Sequence, residues 1–116
     1  MRTRRRYPVV AMRAQVVLPG GVARFDLSRS RTVAAVEEAM VRDGLIFLVA
    51  QKNPEELDPG VSGTYRYGTL CQIRSLTRTS RDTRRAMLFG IRRCIVEQLV
   101  LEGDIYEAEL YNAQLR

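Results

Sequence analysis

Side chains capable of chemistry are sparse in these 116 residues, and their spacing sets aside most reaction classes before any fold is considered. There is no histidine, which removes the commonest general base and the commonest zinc ligand. Two cysteines, Cys71 and Cys94, stand too far apart to frame a zinc site or a disulfide scaffold, so reduced thiols are expected. The one lysine, Lys52, heads a proline-rich loop, and no serine sits in a nucleophile elbow. Pro19-Gly20-Gly21 has glycines but lacks the lysine and the following helix of a phosphate loop. Carboxylates are paired at Glu37–Glu38 and Glu55–Glu56. Adjacent helical residues point about 100° apart, so the first pair is a solvated face. The second reads as loop solubility. No catalytic residue, metal ligand or cofactor site is expected, and the chain alone should not be an enzyme.

What remains is charge. Eighteen arginines and one lysine against 13 acids give a net charge of +6. A basic domain can be the electrostatic footprint of a nucleic-acid binder. Codon usage that favours arginine over lysine produces the same balance, with guanidiniums that merely solvate the surface. A base-stacking platform needs aromatic residues among the basic ones, and only Tyr65-Arg66-Tyr67 offers that interleaving.

The elements that would position any site can be read next. The length suits one domain: a basic tail over 1–6, then a single domain over 7–116. Hydrophobic residues at 46% are ordinary for a globular chain. No apolar run approaches the ~20 residues that cross a bilayer. The start lacks the apolar stretch of a signal peptide, so a cytoplasmic location is expected.

The most informative stretch is Ser28 to Gln51. Val33, Val36 and Met40 recur at helical spacing with Ala35 and Ala39 beside them, while Glu37, Glu38 and Arg42 face away. Ser28 or Ser30 can cap the start, and Gly44 stops the helix where a left-handed residue is needed. Leu45 to Ala50 is apolar without alternation, the pattern of a strand buried on both faces. Around it, Tyr7–Met12, Val22–Leu27, Tyr67–Thr77, Arg85–Leu101 and Ile105–Tyr111 read as strands. Gln15–Leu18 is a short apolar piece before the Pro19-Gly20-Gly21 turn. Leu70, Cys71 and Ile73 are taken as the inward set of their strand, and Gly90 marks a bulge or a close backbone approach. If the long hairpin turns at Ser80–Arg81, Cys71 faces Gly90 and Cys94 faces Tyr67, so the thiols do not meet. Residues 52–63 form a long surface loop. The sum is a mainly β, α+β domain: a small barrel of about six mostly antiparallel strands with one helix plugging an end.

Several segments resemble the N-terminal domain of the Lon family of ATP-dependent proteases. They are MRAQVVLPGGV, TVAAVEEAMVRDGLIFLVAQKNPE, YRYGT, GIRRCIV and YEAELYN, in order from Tyr7 to about Leu110. The resemblance implies a PUA-like pseudobarrel that recognises unfolded or degron-bearing polypeptides and helps organise a homo-hexamer. It also implies a parent ATP-dependent serine endopeptidase, with ATP and magnesium used by its other domains and none in this segment. The second strand departs from the family pattern: ARFDLS carries Arg24, Asp26 and Ser28 where apolar residues and a glycine are usual. Candidate substrate contacts are the Gly20–Gly21 turn, the helix entry at Leu27, Arg29 and Arg31, and Leu57 and Val61 in the long loop. A standalone Lon-domain adaptor and an RNA-binding PUA-like domain are the alternatives. No membrane contact is expected, and nucleic acid is the less favoured partner.

Overall fold

The computed structural model describes residues 5–12, 17–28, 30–52 and 64–112. In chain order the elements are β1 (Arg6–Met12), β2 (Val22–Leu27), α1 (Ser30–Val41), β3 (Leu45–Gln51), β4 (Thr64–Arg78), β5 (Arg84–Glu102) and β6 (Ile105–Asn112). They form one sheet in the order β2-β5-β4-β3-β1-β6, and β5 also pairs with β6. That last pairing joins β5, β4, β3, β1 and β6 into a closed ring, with β2 added to the first half of β5. Every pairing is antiparallel except β1 with β3. The parallel step is bridged by β2 and α1, since a parallel pair needs a long crossover.

β3 is central and buried on both faces, as its unbroken apolar run predicts. Phe47 and Val49 belong to one cluster with Val9, Leu70, Cys94, Val96 and Ala108. All five ring strands contribute to that cluster and α1 does not, so it fills the lumen. Ile46 and Leu48 point the other way, into a second cluster with Val10, Phe25, Leu27, Cys71, Ile73, Leu88 and the helix. The helix therefore covers the outer face of β1 and β3 and does not plug an end of the ring. Its buried arc is Val33, Ala35, Val36 and Ala39. Met40 is 47% exposed. The alanines let the helix backbone sit close to the sheet, and Met40 falls in the last turn at the rim of that arc. Gly44, at φ 79°, ends the helix and donates its N–H to the Ala39 carbonyl at 2.8 Å.

β4 and β5 form a long hairpin whose register slips twice. Cys71 faces Gly90, but Cys94 faces Gly68 where uniform pairing would place Tyr67. One extra residue in β5, Ile91, accounts for the difference. Leu70 points into the lumen, whereas Cys71 and Ile73 join the helix side, so the three are not one inward set. The two thiols thus lie in different clusters and remain unbridged. Gly90 permits a close crossing: a Cβ there would stand 2.3 Å from the Leu18 carbonyl oxygen. The Leu18–Gly21 turn lies across it, with Gly20 N–H donating to Gly90 O at 2.7 Å and Gly90 N–H to Gly21 O at 2.9 Å.

One ion pair ties the helix end to the ring. Arg42 donates from Nη1 to Glu107 Oε1 at 3.1 Å and from Nη2 to Oε2 at 3.2 Å, while its Nε reaches Glu38 at 2.9 Å. The hydrogen bond that Arg42 donates to Glu107 is the main reason that the Arg42 pKa is raised. Glu107 is 7% exposed although the alternation of β6 reads it as an outward polar residue.

Candidate functional site

Among the described residues, the ladder between β3 and β4 opens at Ala50. Val49 pairs with Gly68 and Gln51 with Thr64, so β3 supplies only Ala50 where β4 supplies residues 65–67. Such a bulge breaks the ladder and re-aims side chains, and bulges are common beside functional sites. Tyr67 emerges from this one 54% exposed.

A groove of about 130 Å³ sits at the opening. Ala50 and Val49 of β3 and Tyr67 and Thr69 of β4 line it, together with Met12, Leu18 and Arg93. Cross-strand register explains the company: Met12 faces Ala50, and Thr69 faces both Leu48 and Arg93. Thr69 Oγ1 donates to the Val17 carbonyl at 2.7 Å, which holds the segment carrying Leu18 against the sheet. Leu18 is 62% exposed at the rim, beside the turn anchored on Gly90.

The chemistry available is that of binding. The walls are mainly apolar, Thr69 is already engaged, and Arg93 is the one cation in the lining among the described residues. Arg93 Nε is buried and finds no hydrogen-bond acceptor among the described residues. Neither thiol is a nucleophile. Burial, with a contribution from Cys94, pushes Cys71 up to about 12, and burial also raises Cys94 against the opposing influence of Arg92. No cluster of three or more His, Cys, Asp or Glu side chains that could hold a metal occurs among the described residues.

The residues expected from sequence to contact a substrate are only partly brought together. Gly20 is exposed and Gly21 half-buried on the turn that carries Leu18, so this pair borders the groove. Leu27 is a correction: at 5% exposure it is a core residue beside Phe25, because the alternation of β2 turns it inward. Arg31 lies over the Tyr106 ring at 5.0 Å, on a strand that gives nothing to the groove. Arg29, Leu57 and Val61 lie outside the described residues. Tyr67, Met12 and Arg93 were not legible as a site. Tyr67 was conspicuous only in Tyr65-Arg66-Tyr67, and nothing local reports that Arg93 stands across the strands from Leu48.

Comparison with known proteins agrees with this architecture. The model of the ATP-dependent protease La (LON) substrate-binding domain matches residues 6–114. The Lon protease of Lachnoclostridium phytofermentans is 32% identical over 106 residues, covering 91% of this chain and 13% of that protein. The Lon protease of Azorhizobium caulinodans is 33% identical over 103 residues, with 89% and 12% covered. The chain thus spans about an eighth of the curated relatives that it matches. Among solved structures, the N-terminal domain of Mycobacterium avium complex Lon protease superposes with a TM-score of 0.76 at 18% identity, over 97% of this chain and 56% of that one. The Lon N-terminal domain protein from Xanthomonas campestris gives 0.70 at 17%, over 95% and 60%. These two show a shared fold. With the family model spanning nearly all of its length, the chain belongs to the LON substrate-binding domain family.

Proposed function

We propose that this domain is the substrate-recognition module of a Lon-type ATP-dependent serine protease, and that the groove at Ala50 receives apolar side chains of unfolded or degron-bearing polypeptides. The observation that carries the reading is the opened ladder: an apolar groove rimmed by exposed Leu18 and Tyr67, with no catalytic set among its walls. An unfolded chain displays the apolar groups that a folded one hides, and burying one such side chain is worth about 1.5–3 kcal/mol. Association entropy consumes much of that, so a single domain binds weakly. Six copies in a homo-hexameric parent would raise the avidity by about 10²–10⁴-fold. ATP and magnesium belong to the other domains of that parent, the assembly role to this one, and the setting to the cytoplasm. No helix among the described residues is long and apolar enough to cross a membrane.

The basic balance favours nucleic acid less than its total suggests. Arg5, Arg6, Arg42, Arg84 and Arg85 are in ion pairs with Asp43, Glu109, Glu107, Glu37 and Asp26. The test is fluorescence anisotropy of a labelled, permanently unfolded casein-like chain against the domain at 50 and 200 mM salt. The expected result is weak, nearly salt-independent binding that falls about tenfold in Ala50→Arg and in Tyr67→Ser. Absent binding, or binding unchanged in both variants, overturns the reading. Tight RNA binding that falls steeply over the same salt range would put the RNA-binding alternative in its place.

A further inference from the structure

Among the described residues the mainly apolar lining of the groove carries one cation, and that cation narrows what fits. Arg93 lines it, makes no ion pair among the described residues, and keeps a buried Nε without an acceptor there. A guanidinium is a permanent cation whose natural complement is a carboxylate. The wall therefore offers one positive charge, without an ion pair among the described residues, beside an apolar floor.

Size decides which carboxylate. A cavity of about 130 Å³ is close to the ~150 Å³ that holds one benzene-sized group, so one side chain fills it. In an extended peptide the residue next to the anchored one points to the opposite face. The residue after that on the same face lies ~6.6 Å further along, beyond a space of this size. An internal Asp or Glu is thus badly placed to meet Arg93 while its neighbour occupies the floor. The α-carboxylate of a chain's last residue is bonded to the same Cα as the anchoring side chain and has neither difficulty.

We infer that the groove selects polypeptide C-termini, seating the last apolar side chain against Met12, Leu18 and Ala50 and its free carboxylate on Arg93. The inference rests on the groove being the polypeptide site proposed above. It turns a general apolar trap into a reader of chain ends. Newly cleaved products and truncated chains would then be bound in preference to internal segments of the same composition.

Two hexapeptides of one sequence ending in leucine, one a free acid and one a C-terminal amide, test this by anisotropy with wild type, Arg93→Gln and Arg93→Lys. The acid is expected to bind wild type at least about tenfold more tightly than the amide. In Arg93→Gln the two affinities become equal through a loss on the acid alone, and Arg93→Lys retains part of the preference. The acid/amide ratio in wild type needs no variant to fold, so a destabilised variant leaves the test intact. Equal binding of both peptides, still displaced by Ala50→Arg, overturns the C-terminal inference and leaves the groove reading standing. An acid preference that persists in Arg93→Gln also overturns it. Binding of neither peptide removes the groove reading together with the inference.

Discussion

Gly90→Ala puts the crossing of the Leu18–Gly21 turn over β5 to a quantitative test. The new Cβ would stand 2.3 Å from the Leu18 carbonyl oxygen and 3.0 Å from Val17 Cγ1. The backbone oxygen cannot swing aside like a side-chain tip, so the whole turn must retreat by about 1 Å. Overpacking of this kind costs roughly 1–3 kcal/mol. The two hydrogen bonds that anchor the turn, at 2.7 and 2.9 Å, put about another 0.5–1.5 kcal/mol each at risk. Replacing glycine returns about 0.4–1 kcal/mol through the unfolded chain. The net expectation is a loss of about 2–4 kcal/mol, read as a drop of about 1–3 M in the urea midpoint. Gly20→Ala is the control, because nothing lies within 4 Å of its Cβ and only φ +82° opposes it. That strain costs about 1 kcal/mol net. Equilibrium urea unfolding followed by far-UV circular dichroism measures both. If Gly90→Ala loses no more than Gly20→Ala, the close crossing is wrong and the wall that Leu18 gives the groove falls with it.

Other expectations follow from the same packing. Phe47→Ala and Ile46→Ala should each cost about 2–5 kcal/mol, since the two side chains serve clusters on opposite faces of β3. A neutral result for either would mean that one face is wet. Glu107→Gln strips the carboxylate from a pair whose arginine side chain is 35% exposed, so a loss of about 1–2 kcal/mol is expected, smaller at 1 M salt. Thermal unfolding at two salt concentrations reads this out. The thiols predict an alkaline limb. Cys71 is held neutral up to about 12 when folded, whereas an unfolded thiol ionises near ~8.5. Its contribution is whole below that lower value and declines as pH rises toward 12, by about 1.4 kcal/mol per unit. Urea midpoints at pH 8 and 10 should therefore diverge more in wild type than in Cys71→Ala, and equal divergence would contradict the burial.

Much of the fold was legible because it rests on short-range signals. The apolar run Leu45–Ala50, the glycine stop at Gly44 and the alternation in Val22–Leu27 each dictate local structure and survive in the molecule. Gly90 was readable for a related reason, since an interior glycine in a strand usually makes room for something. What escaped depends on register. A bulge shifts every residue beyond it by one place, which is why Cys94 meets Gly68, whereas Leu70 and Cys71 part company by the plain alternation of a strand. Glu107 reads as surface because only the fold brings Arg42 over it. The groove is the hardest case. It exists because β4 carries three residues opposite Ala50, and no pattern within β3 or β4 alone reports that mismatch. Hence the turn at Gly20–Gly21 was found from sequence, while Tyr67 and Arg93, across the opening from it, were not.

The account stands or falls on where an unfolded polypeptide touches this domain. Backbone amide chemical shifts of the labelled domain, followed while an unfolded casein-like chain is titrated in, answer that directly. The prediction is a set of shifts clustered on Met12, Leu18, Ala50, Tyr67 and Arg93, with the hairpin tip at Ser80–Thr83 unmoved. Shifts centred on that tip, or none at millimolar ligand, would contradict it.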